Sequence, residues 1–413
     1  MDRATKHLVI VTHRRIDEER SGSKTYLQRM MALAGEAGFQ LTILCLPKTP
    51  FSSRPWGSVD PAFSDLAEII WPETFKLGET YITLAPSVWS RFAIRSLQEV
   101  LQKLNLGPEA WRKPWSNLAT IPPQSELDRI VWELMALKPD AVLVEYSSLG
   151  PILGALPDVM GKAVLVHDSF AARAELFQQR GIPSDYPNTP TYEEEAARMA
   201  VADVIFHASV RELQDFETLG PGSDHIWFRP TAPVHRDRLK TRTEAELLYV
   251  GANQQGSRDA IYHFITDIWP RVQVALSNAK LNIVGPVGPT LSNDLISDGI
   301  IVHGRVDDLT DFSGPDMIGL LPTRLMSGIS IKVGEYLGMG LPIVAYPAGI
   351  EGYGTALDGC VQTASDPTEF ASHIIRLLND RNERDTLSAA GLDTAETILQ
   401  NPEVISALKR LAE

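Results

Sequence analysis

The run S-G-I-S-I-K-V-G-E-Y-L-G-M-G-L-P-I-V-A-Y-P-A-G-I-E-G, Ser327 to Gly352, decides how the rest of the chain is read. A loop of small residues, Ser327-Gly328-Ile329-Ser330, leads into a short segment with Ser330 at the N-cap position. That segment stops at Gly340, with Pro342 just beyond. The pattern predicts a helix that starts at a loop able to approach a ligand closely. Its first turn would carry unpaired N–H groups and the positive end of the helix dipole, which suit a phosphate, and Lys332 adds a full charge. Glu335 follows the cap by five residues, about 7–8 Å along the axis at about 1.5 Å per residue. That is about the reach from a diphosphate to the ribose of a nucleotide, whose two hydroxyls one carboxylate can accept. An ordinary β-α-β unit with a glycine-rich entry would show the same spacing.

Outward from this run, short apolar segments alternate with longer amphipathic ones. Leu8–Thr12, Leu41–Leu46, Ala141–Glu145, Ala163–Val166 and Val204–Phe206 read as buried parallel strands. Leu247–Val250, Leu281–Val284, Ile300–His303, Met317–Leu321, Ile343–Tyr346 and Gly359–Gln362 read as a second set. This is the grammar of two doubly wound α/β sheets. Between the sets, Arg229-Pro230-Thr231-Ala232-Pro233 and the polar His235–Thr243 read as an interdomain linker. Residues 47–125 break the alternation with many Pro and Trp, and with a helix-like Arg91–Leu104 bearing Arg91, Arg95 and Lys103. Trp89, Trp111, Trp115, Arg112 and Lys113 flank it. An insertion packed on its own aromatic residues is one reading; an acceptor-binding or membrane-facing lobe with snorkelling cations is the other.

At 413 residues the chain exceeds what one core supports, and two domains of about 150–200 residues are expected. A net charge of −14 argues against nucleic acid as a partner. Cys45 and Cys360 sit in apolar runs and read as core residues in a reducing, cytoplasmic setting. Leu8–Val11 is too short for a signal peptide, and no run approaches the ~18 apolar residues of a membrane span. His167 ends an apolar run, V-L-V-H-D, at the strand end where open α/β sheets bind ligands, although such a histidine also serves as a cap. The carboxylates Glu193–Glu195 read as a solvated helix start favoured by the dipole.

The Ser327–Gly352 run, with K-x-x-E-Y-x-x-M-G-L-P-I-V-A followed by P-A-G-I-E-G, resembles the donor-site signature of retaining glycosyltransferases with the GT-B fold, in particular family 4. The resemblance implies an α/β fold, GT-B, with two Rossmann-like domains facing a central cleft. The first, 1–228, would be the acceptor side, with its insertion at about 47–125. The second, 229–390, would bind the nucleotide sugar, and a helix at 391–413 would cross back to the first. In the family's E-x7-E motif the second glutamate binds the ribose, and Glu335 falls there; the first would fall at Ser327, so it is missing.

By the same resemblance, Gly22 and Ser23 match a loop that meets the donor diphosphate, and His167 in V-H-D lies near the donor sugar. Arg258 matches a diphosphate cation, and His303-Gly304-Arg305-Val306 offers main chain to the base. Ser327, Gly328, Ile329 and Ser330 form the donor loop. The implied activity is metal- and cofactor-independent transfer of a hexose-type sugar from a nucleoside-diphosphate donor to a hydroxyl acceptor on a glycan, polysaccharide or lipid-linked saccharide. Lys332 and Arg258 would stabilise the leaving phosphate. A lipid-linked acceptor leaves room for peripheral membrane contact through the first domain. Two other readings stay open: a catalytically silent GT-B subunit, favoured by Ser327, and a nucleotide-sugar epimerase, which would need acid/base carboxylates not identified in the sequence.

Overall fold

A computed structural model describes residues 5–14, 16, 22–46, 54–104, 118–179, 181, 186, 188–220 and 222–413. Trp111, Arg112, Lys113 and Trp115, and the side chain of Lys103, lie outside the described residues. The chain divides into two compact units. Met1–His207, Leu213–Trp227 and Pro402–Glu413 form the first, and Ala208–Glu212 and Phe228–Asn401 the second.

The first unit is built on a seven-stranded sheet in the order β10-β9-β8-β7-β1-β2-β4. Its central strands are β1 (Lys6–Thr12), β2 (Phe39–Cys45), β7 (Ala141–Glu145), β8 (Gly161–Val166) and β9 (Val204–His207), all parallel. β4 (Glu68–Ile70) and β10 (Asp224–Trp227) close the two edges. β7 is buried along its whole length and β1 and β8 over nearly all of theirs, which is why they read as continuous apolar runs rather than alternating ones. Helices α1 (Gly22–Glu36), α2 (Pro86–Lys103), α3 (Gln124–Leu137), α4 (Phe170–Gln179), α5 (Tyr192–Met199) and α6 (Val210–Leu219) connect or flank these strands.

Part of the atypical 47–125 region is a small antiparallel sheet, β3 (Trp56–Ser58), β6 (Thr80–Thr83) and β5 (Thr74–Leu77). It does pack on aromatic residues: Trp56 meets Phe92 edge-on at 5.3 Å and Trp71 meets Tyr81 at 5.3 Å between ring centroids. The strand pairings here involve residues far too few and too polar for periodicity to mark.

The second unit holds a six-stranded parallel sheet in the order β13-β12-β11-β14-β15-β16. The strands are β11 (Glu246–Val250), β12 (Leu281–Val284), β13 (Ile300–Gly304), β14 (Met317–Leu321), β15 (Ile343–Ala345) and β16 (Val361–Thr363). Helices α7 (Gln255–His263), α8 (Ile331–Gly338), α9 (Pro367–Asn379) and α10 (Arg381–Thr397) cover it. Its core runs from Leu247 and Tyr249 through Phe264, Trp269 and Ile318 to Phe370 and Leu377. Cys45 and Cys360 are buried free thiols.

The expected single helix at 391–413 is corrected. α10 ends at Thr397 within the second unit, and a separate helix α11 (Pro402–Arg410) belongs to the first unit. Pro402 cannot donate an i→i−4 bond, so it starts a new helix rather than continuing the old one. Just before that break Asn401 holds the strand-exit segment: its amide accepts from Arg229 N at 2.8 Å and donates to Arg229 O at 3.0 Å. Within the first unit Arg410 pairs with Asp224 at 2.9 Å.

Candidate functional site

In each sheet the strand order reverses once, and ligands of open α/β sheets bind at the carboxyl ends of strands beside that reversal. In the second sheet it lies between β11 and β14. The loop 251–254 after β11 and the loop 322–330 after β14 flank it, and α8 starts from the latter. α8 is held there by β11 on one side and by the linker on another. Tyr336 is fully buried, and its hydroxyl accepts from Val250 N at 3.0 Å, which ties the helix to the end of β11. A Cβ on Gly334 or Gly338 would stand 2.5 Å from Pro230 O or 2.4 Å from Pro233 O, so these two glycines let the backbone of the linker lie directly on the helix. The helix ends as the sequence indicates, with Gly340 at φ 69° and its N–H on Leu337 O at 2.9 Å.

Lys332 and Glu335 project from α8 one turn apart. The Lys332 ammonium lies 5.2 Å from the centroid of the Tyr249 ring, so its charge sits at the end of β11 against an aromatic face. Burial pulls its pKa down to about 8, opposed in part by the charge of Glu335. Ser330 occupies the N-cap position but makes no side-chain capping bond, which corrects that part of the expectation. Its carbonyl accepts from the Tyr353 hydroxyl at 2.7 Å instead. Gly328 has φ 68°, a left-handed conformation that a side chain at this turn would strain. Its N–H donates at 2.7 Å to Glu212 Oε1, from the Ala208–Glu212 segment that groups with this unit.

Arg258, expected at the diphosphate, stands on α7 with Nη1 donating to Asn253 Oδ1 at 2.7 Å. It lines a cavity of about 420 Å³ together with Gln255, Tyr262, Thr290 and Ser292, a set that includes neither Lys332 nor Glu335. Arg324, which sequence reasoning passed over, lies on the β14 loop and makes a two-pronged pair with Asp259 of α7, Nη2 to Oδ1 at 2.7 Å and Nε to Oδ2 at 3.2 Å. The cationic residue that joins α7 to the loop at the reversal is thus Arg324. Arg305 is exposed and Val306 half-buried, directly after β13 on the same sheet edge. Gly304 O accepts from Gly285 N at 2.6 Å, which packs that turn on the loop after β12.

In the first sheet the reversal lies between β1 and β7. Gly22 and Ser23 form the first turn of α1, not a loop, because the helix begins at Gly22. His167 follows β8, is 8% exposed, and its Nε2 lies 2.7 Å from Oε1 of the fully buried Glu145 at the end of β7. Burial pushes the Glu145 carboxyl up, but the His167 hydrogen bond and the Arg14 charge outweigh it and leave the group below its ordinary range. Tyr146, at φ 66°, stacks on Phe170 and takes a hydrogen bond from Arg14. His13 is buried beside it, with its pKa pulled down to about 4 by burial and by the Arg14 and His167 charges, against the pull of Glu145.

Glu195 overturns the reading of a wholly solvated acidic run. It is fully buried and accepts from Ser147 Oγ at 2.7 Å, Ser169 Oγ at 2.8 Å, Phe170 N at 3.2 Å and Ala171 N at 2.9 Å. One carboxylate thus fixes the loops after β7 and β8 to each other. Glu194, its neighbour, closes a capping box with Thr191. Nothing in the local pattern separates these glutamates; only the depth of the helix face does.

Residues 244–380, spanning β11 to the end of α9, match the family model described as glycosyl transferases group 1. The chain matches no curated protein by sequence. Among solved structures it is similar to a sucrose-phosphate synthase from Thermosynechococcus elongatus, at 13% identity and TM-score 0.65, covering 98% of each chain. It is also similar to TarM, at 8% identity and TM-score 0.66, covering 99% of each. A third is an E. coli trehalose-6-phosphate protein bound with UDP-2-fluoro glucose, at 13% identity and TM-score 0.59, covering 98% of this chain and 99% of the other. The fold is therefore that of GT-B glycosyltransferases.

Proposed function

We propose that the protein is a retaining glycosyltransferase that moves a hexose-type sugar from a nucleoside diphosphate to a hydroxyl acceptor. The observation that carries this is α8: it starts at the strand-order reversal of a group 1 domain, with Lys332 and Glu335 one turn apart and its own cap side chain unused. In this reading the diphosphate meets the first turn and Lys332, and Glu335 takes the ribose hydroxyls. His167 meets the donor sugar, and the leaving phosphate accepts the acceptor's proton. The chain's part in the chemistry is then positioning and charge stabilisation. Arg324 joins Lys332 as a candidate for the diphosphate, while Arg258, turned into its own cavity, serves the edge of the site. A lipid-linked or saccharide acceptor would be held by the first unit.

The first experiment is a thermal-shift panel of nucleoside diphosphates, since a ligand of the native state alone raises stability with its affinity. Uridine diphosphate leads the panel because a neighbouring fold was solved with a uridine donor analogue. Glu335→Gln should then weaken the best ligand by about 1.5–3 kcal/mol, the range for hydrogen bonds to a charged group. Unchanged affinity in calorimetry of a folded variant would remove Glu335 from the ribose site.

A second reading, a silent subunit, is favoured by Ser327 in place of a glutamate and by the Gly328 N–H being already engaged by Glu212. Wild-type protein that binds a nucleoside diphosphate yet neither transfers nor hydrolyses any nucleotide sugar across a broad screen would decide for it.

A further inference from the structure

We propose that Glu145 is a positioning residue for His167: its carboxylate takes the Nε2–H, so that Nδ1 is the ring nitrogen left to meet a ligand at the carboxyl edge of the first sheet. The inference deepens the proposed function and rests on its placement of His167 at the donor sugar.

Three observations carry it. First, the pair is short and enclosed, with 2.7 Å between Nε2 and Oε1, Glu145 at 0% exposure and His167 at 8%. An ionised carboxylate can only accept, so the imidazole must donate through Nε2, and its neutral form is the Nε2–H tautomer. Nδ1 of that tautomer is an acceptor and is matched to a hydroxyl donor on the ligand.

Second, the arrangement is a poor way to hold two strands together. Beyond His167 the Glu145 carboxylate is met only by the Thr12 hydroxyl, its Oε2 and the buried His13 Nε2 otherwise having no partner within hydrogen-bonding geometry among the described residues, and unsatisfied buried polar atoms are destabilising. Glutamine could accept the same hydrogen bond without bringing a charge into the interior. A charge kept where a neutral side chain would suffice points to a task for that charge.

Third, the surroundings are set to hold the pair in one state. Tyr146 keeps a left-handed backbone, which is unfavourable for a residue of its size, and its ring lies 4.8 Å from that of His167. Tyr26 of α1 covers the imidazole from another side at 5.6 Å. The other charged and titratable groups facing the pair are Arg14 and His13 after β1, Asp168 with its partner Arg173 on α4, and Cys45 at the end of β2. His13 stays neutral near pH 7, and burial and the Glu145 charge keep Cys45 a thiol. Arg14 is the cation that balances Glu145, so that the pair does not carry an isolated negative charge.

The test is nitrogen-15 NMR of the full chain with labelled histidine, the His167 signal being assigned by its loss in His167→Asn. Wild type should show the Nε2–H tautomer at neutral pH. Glu145→Gln, whose amide oxygen can still accept, should keep that tautomer, and Glu145→Ala should release the ring to a mixture of tautomers. A wild-type Nδ1–H tautomer, or a tautomer unchanged in a folded Glu145→Ala, would overturn the proposal. If Glu145→Ala fails to fold, the wild-type tautomer alone still decides. These readouts need no turnover. The expected tautomer in a protein that transfers no sugar would therefore retain the pairing and reject the enzymatic reading, whereas transfer by a protein with the other tautomer would do the reverse. With activity in hand, Glu145→Ala should lower kcat more than it raises KM, a split that a strand-holding role does not produce.

Discussion

Lys332 is placed where its charge is costly. Its pKa near 8 lies below the ordinary lysine value because burial penalises the ammonium, with Glu335 opposing. The sign follows directly: the unfolded chain holds the proton to higher pH than the folded one. The penalty is therefore fully present below about pH 8 and is relieved as pH rises towards about 10.5. Contact with the Tyr249 ring offsets part of it. Lys332→Met should raise the stability of the ligand-free protein at pH 7 by about 1–2 kcal/mol, since a half-buried stem feels less than the full shift. It should also erase most of the stabilisation by a nucleoside diphosphate. Melting curves at pH 7 and pH 9, with and without the nucleotide, read both effects; a variant that is less stable and equally responsive to ligand would place the lysine in packing alone. The candidacy of Lys332 and Glu335 could be read from their spacing. That of Glu145, Glu195 and Arg324 could not, because a carboxylate or guanidinium looks the same in sequence whether it lies in water or under a sheet edge.

Among the elements, α8 shows why close approach can outweigh intrinsic preference. Alanine is favoured over glycine in a helix by about 1 kcal/mol, yet a Cβ at 338 would meet Pro233 O at 2.4 Å. Overpacking of that kind costs about 1–3 kcal/mol. Gly338→Ala should therefore destabilise the protein by about 1–2 kcal/mol in urea unfolding, and a gain in stability would mean that the linker yields freely. α2 poses the opposite problem, an apolar face left uncovered among the described residues. Ile94, Leu97 and Val100 are 57%, 60% and 53% exposed, with Trp89 nearby and Arg91 and Arg95 on the same helix. Among the described residues no helix is long and apolar enough to cross a membrane, and the proposed lipid-linked acceptor would place this face against a bilayer surface. Vesicles rich in anionic lipid should co-sediment wild-type protein and lose it on Leu97→Glu. Equal recovery of both proteins would leave the stripe to some other use.

Over the whole molecule, acid should be a strong denaturant. His13 and His207 are buried and held neutral, with pKa values pulled to about 4 and about 3, chiefly by burial; the Arg14 and His167 charges add to it for His13 and the His225 ring for His207. Their folded values lie below the unfolded value of about 6.5, so the unfolded chain binds protons first as pH falls. Stability is then lost progressively from about pH 6.5 down to about pH 3–4, by on the order of 1 kcal/mol per pH unit for each histidine. Urea midpoints measured against pH should show this slope, reduced in His207→Asn; a flat profile from pH 7 to pH 4 would show that both rings reach solvent. The sequence by itself determined the two parallel sheets and the start and stop of α8, because strands buried on both faces and helix termini carry local signatures that survive without tertiary context. Tertiary structure alone decided the small antiparallel sheet, the partner of His167 and the burial of Glu195. Each of these depends on which segments distant in the chain come to lie within a few ångströms, and short-range patterns of apolar and polar residues carry no record of that.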